Sequence, residues 1–364
     1  MTATIDRAAL RAIIALPLLE GVGIRHAKDL IRHYGSATAA LENDHTLVGV
    51  KNALERADLE LEFIEKHHLQ TYYFEDDDYP QRLAQCPDCP LLLFGKGNLK
   101  PNEGKFVSVV GTRSPSDRGK QLCHDFVLDL ASKVPDVTIV SGLAYGIDVT
   151  AHRAALEAGL PTIIIPGHGL DRIYPALHRQ VAVQALEKGG ILTEYMSGTE
   201  PIGANFVARN RIIAGLADAV VIIESRKKGG SLITADIAFT YNRDLFAFPG
   251  RPSDINSAGC NLLIKNDQAR LIESADDLIS SMRWQPKQTG DDGYQTTLDQ
   301  LFIDLAPEEQ QILDILHQNE EGIHVNSLVA ETHMPYAATT SLLFEMEVRG
   351  MVRSLPGGLY RALK

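Results

Sequence analysis

The chain has 364 residues, 45% of them apolar and 23% charged, the composition of an ordinary globular protein long enough for two or three domains. A formal charge of -12 excludes a surface coated with basic residues for non-specific duplex binding, while leaving room for a local basic pocket. No run of about 18 uncharged apolar residues is present to span a membrane, and four cysteines are too few for a disulfide scaffold, which points to a reduced cytoplasm.

The first apolar stretch, MTATIDRAALRAIIALPLLEGVG, is interrupted by Asp6, Arg7 and Arg11 and has no small-residue cleavage site, so it reads as a helix rather than a signal peptide. Apolar residues recur at helical spacing to about residue 72. Within this domain, Leu19-x-Gly21-Val22-Gly23, followed by Ala27 and Leu30, has the pattern of a helix-hairpin-helix (SAM-like) unit. A Gly-x-Gly turn of this kind either aims backbone N–H groups at a phosphate or simply packs helices. LVGVKNALERA, from Leu47, is a weaker second copy. Residues 73–105 are rich in proline, glycine and acid and read as a connector with one short strand near Leu91 to Phe94. The connector carries Cys86 and Cys89 as CPDC, but no second pair follows to complete a zinc site.

From Phe106 the texture changes. The short apolar runs FVSVVG, TIVSG, TIIIPG, GILTEY, AVVIIES and LFAFPG alternate with amphipathic segments such as GKQLCHDFVLDLAS and DVTAHRAALEAG. Strands so uniformly apolar are buried on both faces, which predicts a parallel, doubly wound α/β sheet over 106–283 with ligands beyond its carboxyl ends. Periodicity is lost over 284–304, a linker. Residues 305–364 show three helices and a hairpin with a Pro-Gly-Gly turn, the winged-helix pattern. Eight acidic residues stand there against four basic ones, and the third helix carries Glu345 and Glu347, so protein contact fits it better than a DNA groove.

The strand ends carry the chemistry. After the first central strand come Gly111, Thr112, Arg113 and Ser114; after the second come Ser141 and Gly142; after AVVIIES comes a basic loop, Arg226-Lys227-Lys228, leading into Gly229, Gly230, Ser231 and Thr234. Glycine backbone, helix N-termini and hydroxyls on one rim suit a phosphate. A Walker A motif is absent, because Gln121 follows Gly119-Lys120, and VGTRSPSDRG has the wrong spacing for a dinucleotide fingerprint. In FVARNRIIAGLADA, Phe206 precedes Arg209, Asn210 and Arg211, cations and an aromatic suited to a single nucleic-acid strand. The competing reading pairs these arginines with Glu194 or Glu224. Asp148 and His152 would share a helix face, read as an N-terminal helix acid and a packed polar residue rather than a catalytic set.

In order, VSVVGTRSPSDRGK, VSGLAYGIDVTAHRAALEAGLPTIIIPGHGLDRIYP, FVARNRIIAGLADAVVIIES, GGSLITADIAF and AFPG followed by SAGCNLLI resemble the signature blocks of the DprA (Smf) family of bacterial DNA-processing proteins. The resemblance implies an extended Rossmann-like domain that binds single-stranded DNA as a homodimer. It also implies protection of incoming DNA in natural transformation and loading of the RecA recombinase against single-strand-binding protein, with no cofactor and no enzymatic step. Carried over by position, Arg113 and Phe206 would hold the strand. Gly111, Ser114, Ser141, Gly142, Arg209, Asn210, Gly229, Gly230, Ser231 and Thr234 would build the pocket, with Arg211 and Lys228 beside it. Departures from the family pattern are Tyr145 in place of an arginine, Gly229 in place of a serine, and Ala176 and His178 where a lysine and an asparagine are usual. Those last two leave Arg172 or Arg179 as replacement basic contacts. The alternative is a Rossmann-like nucleotide-processing enzyme of phosphoribohydrolase type, of whose P-G-G-x-G-T-x-x-E motif PGHGLDRIYP is a loose echo.

Overall fold

The structure is a computed structural model that describes residues 6–285, 306–317, 319, 322–348, 351–355 and 358–362. It divides into two units, Met1–Lys287 and Gln288–Lys364. From 286 onward the expected linker lies outside the described residues, as do Pro356 and Gly357 of the expected wing turn.

The first unit opens with four helices, α1 (Arg7–Ala15), α2 (Ile24–Tyr34), α3 (Ala37–Asn43) and α4 (Val50–His67). Then follow β1 (Gln70–Tyr73), α5 (Gln81–Ala84), β2 (Leu92–Gly97), β3 (Lys105–Val110), α6 (Asp117–Lys133), β4 (Val137–Ser141), α7 (Ile147–Glu157) and β5 (Thr162–Ile164). The chain continues through α8 (Arg179–Lys188), β6 (Gly190–Thr193), α9 (Gly203–Ala208), α10 (Asn210–Leu216) and β7 (Ala219–Ile222). It ends with α11 (Gly230–Thr240), β8 (Asp244–Ala247), α12 (Ala258–Lys265), β9 (Arg270–Leu271) and α13 (Ala275–Met282).

The six apolar runs become β3 to β8 because each has a core on both sides. Val107 and Val109 of β3 face α6, α7 and α13 with Ile139, Val221 and Phe246, while Phe106 and Val110 face α10 to α12 with Val140, Val220 and Leu245. This is the two-residue strand period, buried twice. Ser108, on the second face, satisfies its hydroxyl by donating to the Ile213 carbonyl at 2.7 Å. Strand order is β1-β2-β6-β5-β4-β3-β7-β8-β9, parallel from β6 to β9. The chain leaves β3 toward β4 on one side, while β7 lies on the other, so a switch point falls between β3 and β7, where open α/β sheets hold ligands.

The segment 73–105 is more than a connector. β2 pairs antiparallel with β1 and with β6 and widens the sheet to nine strands. Tyr79, Leu83 and Leu93 are fully buried in the main core, and Arg82 lies over the Phe106 ring at 4.5 Å while its Nε donates to Asp218 at 2.6 Å. Cys86 and Cys89 are buried free thiols, and the Lys28 ammonium of α2 donates to the Cys89 carbonyl at 2.7 Å. The short strand expected near Leu91 to Phe94 is this β2. Leu92 and Phe94 meanwhile close the helical core built by Leu10, Ile13, Val22, Leu30 and Leu61. The Gly21–Gly23 turn leads directly into α2, with Gly23 as its N-cap.

In the second unit, helices Pro307–His317, Val325–Thr332 and Tyr336–Val348 accompany a three-stranded sheet of β10 (Ile323–His324), β11 (Val352–Leu355) and β12 (Leu359–Ala362) in the order β10-β12-β11. Its core is Ile312, Leu316, Leu328, Leu343 and Met346. Glu347 accepts hydrogen bonds from the Ser354 N–H and hydroxyl at 2.9 and 2.7 Å, tying the third helix to the hairpin. No helix among the described residues is long and apolar enough to cross a membrane.

Leu83→Ala tests the role of the former connector. Truncating a fully buried leucine costs about 2–5 kcal/mol, so chemical denaturation should show a lowered midpoint rather than the near-zero change of a solvated linker.

Candidate nucleic-acid interface

At the switch point lies a cleft of about 490 Å³, lined by the loop after β3, the start of α7, the α9–α10 junction and the loop and first turn of α11. The two loops that frame it are fixed to each other. The Glu224 carbonyl accepts from the Thr112 N–H at 2.7 Å, and its carboxylate accepts from the Ser116 N–H and hydroxyl at 2.9 and 2.6 Å. Ser116 in turn caps α6 by accepting from the Gly119 N–H at 3.0 Å. A Cβ on Gly119 would overlap the Glu224 carboxylate, so this glycine is what lets the acid reach the helix start.

Arg209 forms the floor. It is 3% exposed, and its Nε and Nη1 have no hydrogen-bond partner among the described residues. Gly142 faces it, and a Cβ there would collide with the guanidinium. Asp148, in the first turn of α7, is buried beside it; burial pushes this carboxyl up, against the opposing pull of Arg209. Burial likewise lowers Arg209 to about 10, which keeps it charged at neutral pH. The two unpaired nitrogens are themselves buried, Nη1 against Gly142, so Arg209 lies beneath the cleft as a positive charge rather than as exposed donors. On the wall, Phe206 stacks against Tyr174 with centroids 5.7 Å apart and planes inclined by 29°. The exposed Arg113 guanidinium sits over the Phe206 ring at 5.8 Å and has no ion pair among the described residues. Lys228, exposed at the rim, also lacks an ion pair among them.

The cleft brings together Gly111, Arg113, Phe206, Arg209, Asn210, Lys228, Gly229, Gly230, Ser231 and Thr234. Ser231, however, spends its hydroxyl on Ser225 at 2.8 Å. Four expected residues lie off its walls. Ser141 is buried and donates to the Val109 carbonyl at 2.7 Å; Gly142 acts only by leaving space for Arg209; Ser114 faces Asn256, whose side chain donates to its carbonyl at 3.4 Å. Arg211 is paired with Glu194 and lies 3.9 Å from Asp88, the structural pairing that competed with its nucleic-acid reading. Glu224 is committed to Ser116 and takes no arginine. Of the departures, Tyr145 is half exposed and packs edge-on to His178 at 5.0 Å, His178 is buried with Nδ1 2.8 Å from the Leu143 carbonyl, and Arg172 pairs with Asp171 at 2.9 Å. His152 is a packed residue, its Nδ1 2.7 Å from the Thr162 hydroxyl. Sequence reasoning passed over Tyr174, Asp148 and Glu224 as site builders. Tyr174, the exposed aromatic of IYP, was the one with a readable signal.

Fold and cleft together define a Rossmann-like protein with an arginine-lined cleft at its switch point and a winged-helix unit. Residues 70–283 match the family model described as DNA recombination-mediator protein A, and residues 298–358 match the DprA winged helix domain. Protein Smf of Synechocystis is 35% identical over 348 residues, covering 86% of this chain and 85% of its own. The structure of DNA processing protein A from Streptococcus pneumoniae superposes with a TM-score of 0.65 at 31% identity, over 76% of this chain and 98% of that one. DNA processing protein A from Helicobacter pylori, whose structure concerns its single-stranded DNA binding mode, superposes with a TM-score of 0.53 at 31% identity, over 59% and 95%. The chain belongs to the DNA recombination-mediator protein A (DprA/Smf) family.

Two measurements probe these assignments. Arg211→Ala leaves Glu194 buried without its cation and should destabilise the protein by about 3–5 kcal/mol, read by denaturant titration. Burial pushes His152 from its ordinary 6.5 down to about 3. Its proton is therefore taken up by the unfolded chain alone, and stability should fall as pH drops from 6.5 toward 3. His152→Asn should flatten that acid limb by up to ~1.4 kcal/mol per pH unit.

Proposed function

We propose that the switch-point cleft holds single-stranded DNA, with bases on the Phe206–Tyr174 stack and phosphates on Arg113, Lys228, Arg209 and the N–H groups at the start of α11. The observation that carries this reading is the unpaired Arg113 guanidinium set over the Phe206 ring of an aromatic pair, in a cleft that the buried Arg209 also lines. Cations along a groove with stacking faces suit a strand without sequence preference. The acidic remainder of the chain disfavours non-specific duplex binding. The H. pylori relative's single-stranded DNA binding mode supports the same ligand.

On this reading the protein protects incoming single strands in natural transformation and loads RecA recombinase onto them, displacing single-strand-binding protein, in the cytoplasm. It acts as a homodimer; exposed apolar side chains on α11 (Ile233, Phe239) and α12 (Leu262) offer a face for the second copy. The acidic third helix of the winged-helix unit, with Phe344 and Tyr336 exposed, suits a protein partner. A binding role without cofactor is favoured over a phosphoribohydrolase. Asp148 is the one acid among the described residues that line the cleft, and it is buried beside Arg209.

A gel shift with single- and double-stranded DNA at two salt concentrations tests this. Wild type should prefer the single strand. Arg113→Ala should weaken binding and reduce the salt slope by about 0.7 per lost phosphate, and Phe206→Ala should cost about 1–3 kcal/mol. Unchanged binding in both variants removes the cleft from the mechanism.

A further inference from the structure

On the same rim, across the β7–α11 loop from the first cleft, lies a second and larger one of about 630 Å³, within the ~300–1,000 Å³ typical of ligand sites. It is walled by the start of α6, the end of β7 and the turn after β8. Arg118, Arg226 and Arg251 line it, and Arg226 lines the first cleft as well. The scaffold is braced at each corner. Asn261 clamps Gly250 through two hydrogen bonds of 3.1 and 2.9 Å, and the Gly259 N–H donates to the Ser225 carbonyl at 2.7 Å. Asn256 accepts from Arg226 Nε at 3.0 Å and donates to the Ser114 carbonyl at 3.4 Å, bridging the loops of both clefts.

The charges here are uncommitted. The Arg251 guanidinium has no partner among the described residues, Arg226 rests on an amide rather than a carboxylate, and Arg118 reaches Asp254 only at 4.0 Å. Two acids line the cavity. Glu224 is occupied by Ser116, and Asp254 accepts from the Arg251 backbone N–H at 3.1 Å. Three guanidinium groups therefore line the cavity against two carboxylates, one of them turned to the start of α6, in a chain of net charge -12.

We infer that this second cleft is a phosphate subsite for the same strand. The single-stranded DNA leaves the first cleft over Arg226, and its next phosphodiesters are held by Arg251 and Arg118. The shared residue and the common rim favour a continuous strand over a free nucleotide. The inference rests on the single-strand reading of the first cleft but fails separately from it.

The test uses the full chain and labelled oligodeoxythymidylates from about 4 to about 20 nucleotides, spanning the usual footprints. Arg118→Ala/Arg251→Ala, at exposed positions, is compared with wild type and with Arg113→Ala, and melting temperatures confirm folding. In wild type, affinity should rise again once the oligomer is long enough to reach the second cleft. The double variant should keep short-oligomer affinity, lose most of that gain, and show a salt slope on long oligomers reduced by about 1.4 for two phosphates. Wild-type affinity of the double variant for long oligomers overturns the inference. So does thymidine monophosphate binding that depends on Arg118 and Arg251 while long-oligomer affinity does not. Failure of Arg113→Ala to weaken short oligomers defeats the first cleft instead.

Discussion

The rim of this protein depends on one carboxylate. Glu224 lies just past β7 and reaches across to the start of α6, where the Ser116 N–H and hydroxyl both donate to it while its own carbonyl takes the Thr112 N–H. β3 and β7 are already neighbours in the sheet, but their following loops leave in different directions. Without a bond between them the loops would part and the switch point would be an open edge. With it, Arg113 is held at a fixed distance from the first turn of α11, and the same loop divides the rim into two clefts. The helix start favours the negative charge, and the charge in turn satisfies donors that the helix leaves open.

The interior shows the same economy. Gly142 and Gly119 sit at strand and helix ends, and each is small so that a charged group from elsewhere can fill the space: a guanidinium in one case, a carboxylate in the other. Both positions carried glycine for close packing of side chains rather than for direct contact with a ligand.

The central strands could be read from the sequence because burial on both faces demands unbroken apolar runs, and no other element of that length does so. The strand expected near Leu91 to Phe94 is β2, while β1, a four-residue edge strand only two residues after α4, was missed. β9 has two residues, both exposed, and leaves no pattern at all. At the site, glycine-rich ends and basic residues pointed to the rim where the structure has a cleft. Composition could not say which of two arginines one residue apart turns inward to the cleft. That depends on helix phase: Arg209 closes α9 and faces Gly142, whereas Arg211, two positions on, turns toward Glu194. Tyr174 and Phe206 are thirty-two positions apart and meet only through the fold.

The couple formed by Arg209 and Asp148 also bears on the floor of the empty cleft. A lone buried guanidinium would stand in the interior with nothing to balance its charge, whereas here the Asp148 carboxyl is buried beside it. Each member opposes the shift that burial imposes on the other, Arg209 pulling the carboxyl down and Asp148 pulling the guanidinium up. A couple that balances itself needs no bound anion to remain buried, so the bottom of the cleft is in place before anything enters it.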